Sequence, residues 1–136
     1  MELENVREAL QECDLFDDFD ESQCTVLAES AQLTSYPEGR AIYAKGREAD
    51  RTFGLIVSGE AEALSESGIA LRTLGPGQII GEIGAMSPQQ RRTITLRAGK
   101  HTEVLEWRID DIAQQLPELL KGLKDLAWRR VSDWFE

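Results

Sequence analysis

Between residues 32 and 107 the chain is a series of short runs, LTSY, AIYA, FGLIV, EAEAL, IALRTL, TITLRA and EVLEW, separated by turn residues. Gly39, Gly46, Gly59, Gly68, Gly75 and Gly77 punctuate them. Strand-like segments at this spacing suggest an all-β sandwich or barrel. No helix-length crossover lies between the runs, which disfavours a parallel sheet and favours a jelly roll of about eight strands.

The period changes on both sides. Leu3, Val6, Ala9 and Leu10 repeat at helical spacing, and Asp20-Glu21-Ser22-Gln23 has the pattern of a capping box opening a second helix, with LFDDF as a hinge between. After Trp107, RIDDIAQQL reads as a short helix and Pro117 suits the first turn of another, which sets Leu116, Leu120, Leu123, Ala127, Val131 and Trp134 along one face. Gly122 inside that helix costs about 1 kcal/mol relative to alanine, to be offset by packing or to mark a bend. The expected fold is therefore mainly β with flanking α. It is a single domain over 1–136, with N-terminal helices over 1–31, an eight-stranded β-roll over 32–107 and C-terminal helices over 108–136.

A hydrophobic content of 41% in 136 residues suffices for a core without staples. The formal net charge of -10 opposes direct nucleic-acid binding, which needs a basic face to displace counterions. Cys13 and Cys24 form no CxxC pattern, the start MELENVREAL lacks the layout of a signal peptide, and no window approaches the roughly 20 apolar residues of a membrane span. A reduced, cytoplasmic protein without direct membrane contact is expected.

The chemistry concentrates in GEIGAMSPQQRRTITLRA, residues 81–98. Gly81-Glu82-Ile83-Gly84-Ala85-Met86 would leave a strand and make one short helical turn, with backbone N–H groups at its start turned outward as an anion site. Arg92, at the start of the following strand, could reach back to the same place and offer a guanidinium to a pair of phosphate oxygens. A carboxylate beside such a site does not suit a bare anion. It suits a ligand carrying both phosphate and hydroxyl, as a ribose phosphate does.

These residues resemble the phosphate-binding cassette of the cyclic nucleotide-binding domain family, in which Gly-Glu is followed by a loop and then Arg with Ala, Ser or Thr. The similarity continues through YPEGRAIYAKGREADRTFGLIVSGEAEAL, where Pro37, Gly39, Gly46, Asp50 and Gly59 fall at the family's turns, and through LGPGQIIGE, where Gly77 precedes the cassette; it covers roughly 14–135. The resemblance implies a short cassette helix and cyclic AMP or cyclic GMP as ligand, with no further cofactor. Glu82 would accept from the ribose 2'-hydroxyl and Arg92 would pair with the phosphate. Backbone N–H groups from Gly81 through Ile83 and Gly84 to Ala85, and at Thr93, would complete the cradle. Ala63, Leu71 and Arg72 would lie beside the base, and the last helix would act as a lid through Trp128 or Trp134. The Thr93 hydroxyl is compatible with a guanine amino group and does not exclude adenine. Ile94 is bulkier than the family's usual alanine, and Arg91 replaces a common proline, with the spacing favouring Arg92 as the ligand arginine.

Enzymatic readings fare poorly. His101 is the only histidine, on the polar turn GKHTE, so neither a cupin-type metal centre nor a serine triad can be assembled, and no G-x-S-x-G elbow is present. The expected function is a non-enzymatic sensor that binds a cyclic nucleotide, cyclic AMP more than cyclic GMP, and relays it through its terminal helices. The relay would run to an effector domain, a protein partner or a homodimer formed through the C-terminal helix. The alternative is the same fold with an altered pocket, serving as an interaction or dimerisation module.

Overall fold

The computed structural model describes residues 3–135, with side chains from Asn5 to Val131. It opens with α1 (Leu3–Gln11), a 3-10 turn at Asp14–Phe16 and α2 (Glu21–Ser30). The capping box forms: Asp20 accepts from the Gln23 backbone N–H at 2.8 Å, and Gln23 Oε1 accepts from the Asp20 N–H at 2.8 Å. Two orphan amides are thereby satisfied where the chain enters the helix.

Eight strands follow among the described residues. One antiparallel sheet runs in the order β1 (Gln32–Tyr36), β8 (Thr102–Arg108), β3 (Thr52–Ser58), β6 (Ile79–Ile80). The other runs β2 (Ala41–Tyr43), β7 (Thr95–Ala98), β4 (Ala61–Leu64), β5 (Ala70–Leu74), also antiparallel throughout. The jelly roll expected from the spacing of the runs is the observed fold. The two-residue β6 was not among those runs, because two residues carry no periodicity.

The alternation of β8 shows how the layers are organised. Val104 faces the space between the sheets with Ile42, Ile56, Ile80 and Leu96, whereas Leu105 and Trp107 face the helices with Phe53, Leu55, Leu10, Leu27 and Leu119. Successive side chains on a strand point to opposite faces, so one strand serves both cores. Trp107 stacks on Phe53 at 5.5 Å, meets Phe16 edge-on at 6.1 Å and donates its Nε1–H to the Leu27 carbonyl at 2.8 Å, which fastens α2 to the sheet.

After the sheet come α4 (Ile109–Ile112) and α5 (Pro117–Phe135). The buried face of α5 is Leu119, Leu123 and Ala127, continuing from Leu116, while Leu120 is half-buried and Val131 is 37% exposed. Of the face expected from sequence, Leu116, Leu123 and Ala127 are buried and Leu120 packs partly buried against the same core; the correction is that Leu119 joins that face and Val131 is exposed, while the Trp134 side chain lies outside the described residues. The helix runs unbroken through Gly122. A Cβ there would stand 2.7 Å from Leu15 Cδ1, so the glycine permits close seating of the 3-10 turn rather than a bend.

A second correction concerns the segment after the cassette. Strand β7 starts at Thr95, so Arg92 precedes it and is not its first residue. The backbone there is committed to the β2–β3 loop instead: Arg92 N–H donates to the Arg47 carbonyl at 2.8 Å, and the Arg92 carbonyl accepts from Gly46 N–H at 2.9 Å.

Candidate functional site

Helix α3 (Glu82–Met86) leaves β6 through Gly81, whose φ of +79° is in the left-handed region that favours glycine. Space also demands it: a Cβ on Gly81 would stand 2.6 Å from Tyr43 Cε2 and 2.8 Å from Arg92 Nη1. The bare turn allows a carboxylate, a guanidinium and a phenol ring to converge.

Glu82 is buried and its Oε1 accepts from Arg130 Nη1 of α5 at 2.7 Å. The same Nη1 donates to the Ile79 carbonyl, so one arginine ties α5 to both β6 and α3. Burial pushes the Glu82 carboxyl above its ordinary range, against the opposing pull of Arg130.

Arg92 is also buried, and its guanidinium is held by the protein's own acceptors. Nη1 donates to the carbonyls of Thr52 at 2.9 Å and Gly81 at 3.0 Å, and Nη2 makes a longer bond to Ala49 at 3.4 Å. Its Cζ lies 3.7 Å from the centroid of the Tyr43 ring, a cation–π stack. Burial lowers the Arg92 pKa while Tyr43 and Glu106 oppose the shift; an arginine in such company stays a cation. Behind the ring, Tyr43 and Tyr36 donate their hydroxyls to the two oxygens of Glu106 at 3.0 and 2.9 Å, joining the two sheets across the barrel. Burial raises both phenol pKa values and the Glu106 charge adds to the effect, so both remain donors.

Gln90 fastens the cassette loop, at a φ of +52°. Its Nε2 donates to the carbonyls of Ala85 at 2.8 Å and Ser87 at 2.7 Å, its Oε1 accepts from Arg51 N–H at 2.7 Å, and its own carbonyl accepts from Ala49 N–H at 2.8 Å. The β2–β3 loop and the cassette are thus one hydrogen-bonded unit.

Gly81, Glu82, Ile83, Gly84, Arg92 and Thr93 line a cleft of about 20 Å³, room for a water molecule. Ile83 and Thr93 also border a recess of about 990 Å³ between α3 and α5, walled by Met86, Pro88, Trp128 and Val131.

The sequence profile described as cyclic nucleotide-binding domain matches residues 33–118, from β1 into α5. The chain belongs to the cyclic nucleotide-binding domain family. Among solved structures it is similar to the catabolite activator protein of Thermus thermophilus, with a TM-score of 0.74 and 25% identity over 88% of this chain and 58% of that one. The regulatory domain of Toxoplasma gondii protein kinase A, crystallised with cAMP, gives 0.80 and 18% over 97% and 50%. The regulatory subunit of a cAMP-independent protein kinase A from Trypanosoma brucei gives 0.79 and 15% over 96% and 46%. The chain spans about half the length of these three. No curated protein matches it by sequence.

On this cyclic nucleotide-binding fold, Ala85 is buried and does not line the cleft that Gly81, Glu82, Ile83 and Gly84 border. Ala63 is sealed in the barrel core, opposite Arg72 on β5 and Leu96 on β7. Leu71 is 58% exposed and shares a surface depression with Lys45, Thr93 and Ile94. Trp128 stands 75% exposed at the recess on the α5 side. Sequence reasoning missed Arg130, Tyr43, Glu106 and Gln90. Their roles come from pairings across 48, 49, 63 and 39 positions, and no local motif announces them. The one signal was Arg129-Arg130 set among apolar residues of a helix in an acidic chain.

Proposed function

We propose that this domain is a non-enzymatic cyclic nucleotide sensor, taking cyclic AMP in preference to cyclic GMP and signalling through its terminal helices. The observation that carries the reading is the pairing of Glu82 with Arg130. The carboxylate expected to receive the ribose hydroxyl is held by a residue of α5, so a ligand at Glu82 must share or replace that bond. Binding and the position of α5 are then linked, by as much as the ligand prefers one arrangement over the other. Arg92 supplies the phosphate partner, the N–H groups of Gly81 to Ala85 and of Thr93 complete the cradle, and Trp128 covers the base from the recess. Leu71 and Ile94 give the base-side wall an apolar character, and the similar Toxoplasma domain was crystallised with cAMP. Both favour adenine. The output is read by a partner, by a domain beyond this chain or by a second copy meeting α5.

Titration calorimetry with cyclic AMP and cyclic GMP, repeated on Arg92→Ala, tests the reading. Expected are micromolar or tighter binding of cyclic AMP, weaker binding of cyclic GMP and loss of both in the variant. Ligand at 100 times its dissociation constant should add about 2.7 kcal/mol of stability. Absence of heat with either nucleotide would overturn the proposal.

One observation favours a second reading, a ligand-free interaction module. Glu82 already has an internal partner and the cleft beside it is water-sized. The Trypanosoma regulatory subunit, from a kinase described as cAMP-independent, has the same fold. An unchanged melting curve with nucleotide would select this reading.

A further inference from the structure

We infer that Tyr43, with Glu106 behind it, is a positioning residue that holds Arg92 with one edge of its guanidinium presented to the cleft; the ligand in this inference rests on the cyclic nucleotide reading. Neither residue lies in the cassette.

The argument starts from donor counting. A guanidinium has five N–H donors in a fixed planar fork. Two from Nη1 go to Thr52 and Gly81 and one from Nη2 goes to Ala49, while Nε makes no hydrogen bond among the described residues. Nε is nevertheless not sealed in, since among the described residues no buried side-chain nitrogen or oxygen lacks a partner. Arg92 lines the cleft. Its Nη1 end is therefore anchored inward, and the Nε edge with the second Nη2 proton is the side-on pair that grips two oxygens of a phosphate.

The carbonyls of Ala49, Thr52 and Gly81 would not fix the plane of the fork by themselves. The Tyr43 ring, 3.7 Å from Cζ, lies against one face and removes rotation about the side-chain axis. Tyr43 is itself immobilised: it is buried, its hydroxyl donates to Glu106, and a Cβ on Gly54 would come within 3.2 Å of that hydroxyl. Donation to a carboxylate also enriches the phenol ring in electron density, which strengthens its attraction for a cation. Preorganisation of this kind raises affinity by sparing the ordering cost at binding.

The test combines calorimetry with cyclic AMP and nitrogen-15 NMR of the ligand-free protein. Tyr43→Leu should weaken cyclic AMP binding roughly tenfold, and Tyr43→Phe and Glu106→Gln, which keep a ring in place, roughly threefold each. If Tyr43 acts through Arg92, Tyr43→Leu should cost much less in an Arg92→Lys background, which keeps a cation but not the planar fork; an unchanged affinity in Tyr43→Leu, or full additivity with Arg92→Lys, overturns the inference. In the absence of nucleotide, the Arg92 Nε–H resonance should be dispersed, with a heteronuclear NOE as high as the rigid backbone's, in the wild type and should merge with the exposed arginines in Tyr43→Leu. A fold defect in Tyr43→Leu leaves the same comparison to Tyr43→Phe and Glu106→Gln, where an unaltered heteronuclear NOE at Nε together with unaltered affinity overturns it. Should the wild type bind no nucleotide, the sensor reading fails separately: loss of the ordered Nε–H on substitution still upholds the positioning role, and its persistence overturns it.

Discussion

Arg130 Nη1 stands 2.7 Å from Glu82 Oε1, with the two side chains 12% and 2% exposed. The bond joins the last helix to a five-residue helix that is too short to persist without tertiary support. The position of α3, and of the cleft it borders, therefore depends on α5.

Breaking that pair from one side should be costly. Arg130→Met leaves a buried carboxylate without its cation and is expected to destabilise the domain by about 3 kcal/mol, within the range for one-sided loss of a buried pair. Adding Glu82→Gln should recover much of the loss. Urea unfolding of the two single variants and the double variant measures both, and equal stability of Arg130→Met and wild type would contradict the pairing.

The raised pKa of Glu82 sets a pH dependence. A carboxyl whose folded pKa lies above its ordinary 4.5 binds protons more readily when folded, so its contribution to stability is full below that value and is lost as pH rises through the folded pKa. Glu82→Gln should remove this downward component, so the stability difference between variant and wild type grows in the variant's favour as pH climbs from about 4.5. Arg130→Met should carry the loss to higher pH. Denaturation midpoints across the acid range decide it.

Gly81→Ala should fail on two counts. A side chain at φ +79° is strained, and its Cβ would meet Tyr43 and Arg92 under 3 Å. A loss of about 1–3 kcal/mol is expected, together with weakened nucleotide binding because Arg92 must move. Stability measured beside calorimetry tests both halves, and wild-type binding in a destabilised variant would separate Gly81 from the site.

Trp128 offers the opposite signature. It is 75% exposed, so Trp128→Ala should change stability by no more than about 0.5 kcal/mol. As a lid over the base it should still weaken cyclic nucleotide binding. Unchanged affinity would remove it from the site.

Trp107→Phe tests the attachment of α2 to the sheet. It strands the Leu27 carbonyl and leaves a gap beside Phe53, for an expected loss of about 1–3 kcal/mol in chemical denaturation. Nucleotide affinity should be nearly unaffected, since the residue lies on the helix side of the sheet.

The elements that sequence disclosed are those written in local chemistry. The capping box at Asp20 is complete within four residues, Pro117 marks the start of α5, and glycine-closed runs fall on most of the strands. The candidate cassette segment could be picked out for the same reason: Gly81, Glu82 and Arg92 sit within a dozen residues of one another. Strand β6 and the place of Leu119 on the buried face of α5 were not, since two residues have no period and several nearby stripes of α5 are apolar enough to be chosen.

By itself the sequence determined the class of fold, the order of its elements and the short helix after Gly81, because hydrophobic period, capping and turn chemistry act over a few residues. Only the tertiary structure decided who the charged groups face. Glu82 meets Arg130 rather than Arg92, and Arg92 meets Tyr43 and three carbonyls, because burial forces each charge to take the nearest partner that packing brings within reach, however distant along the chain.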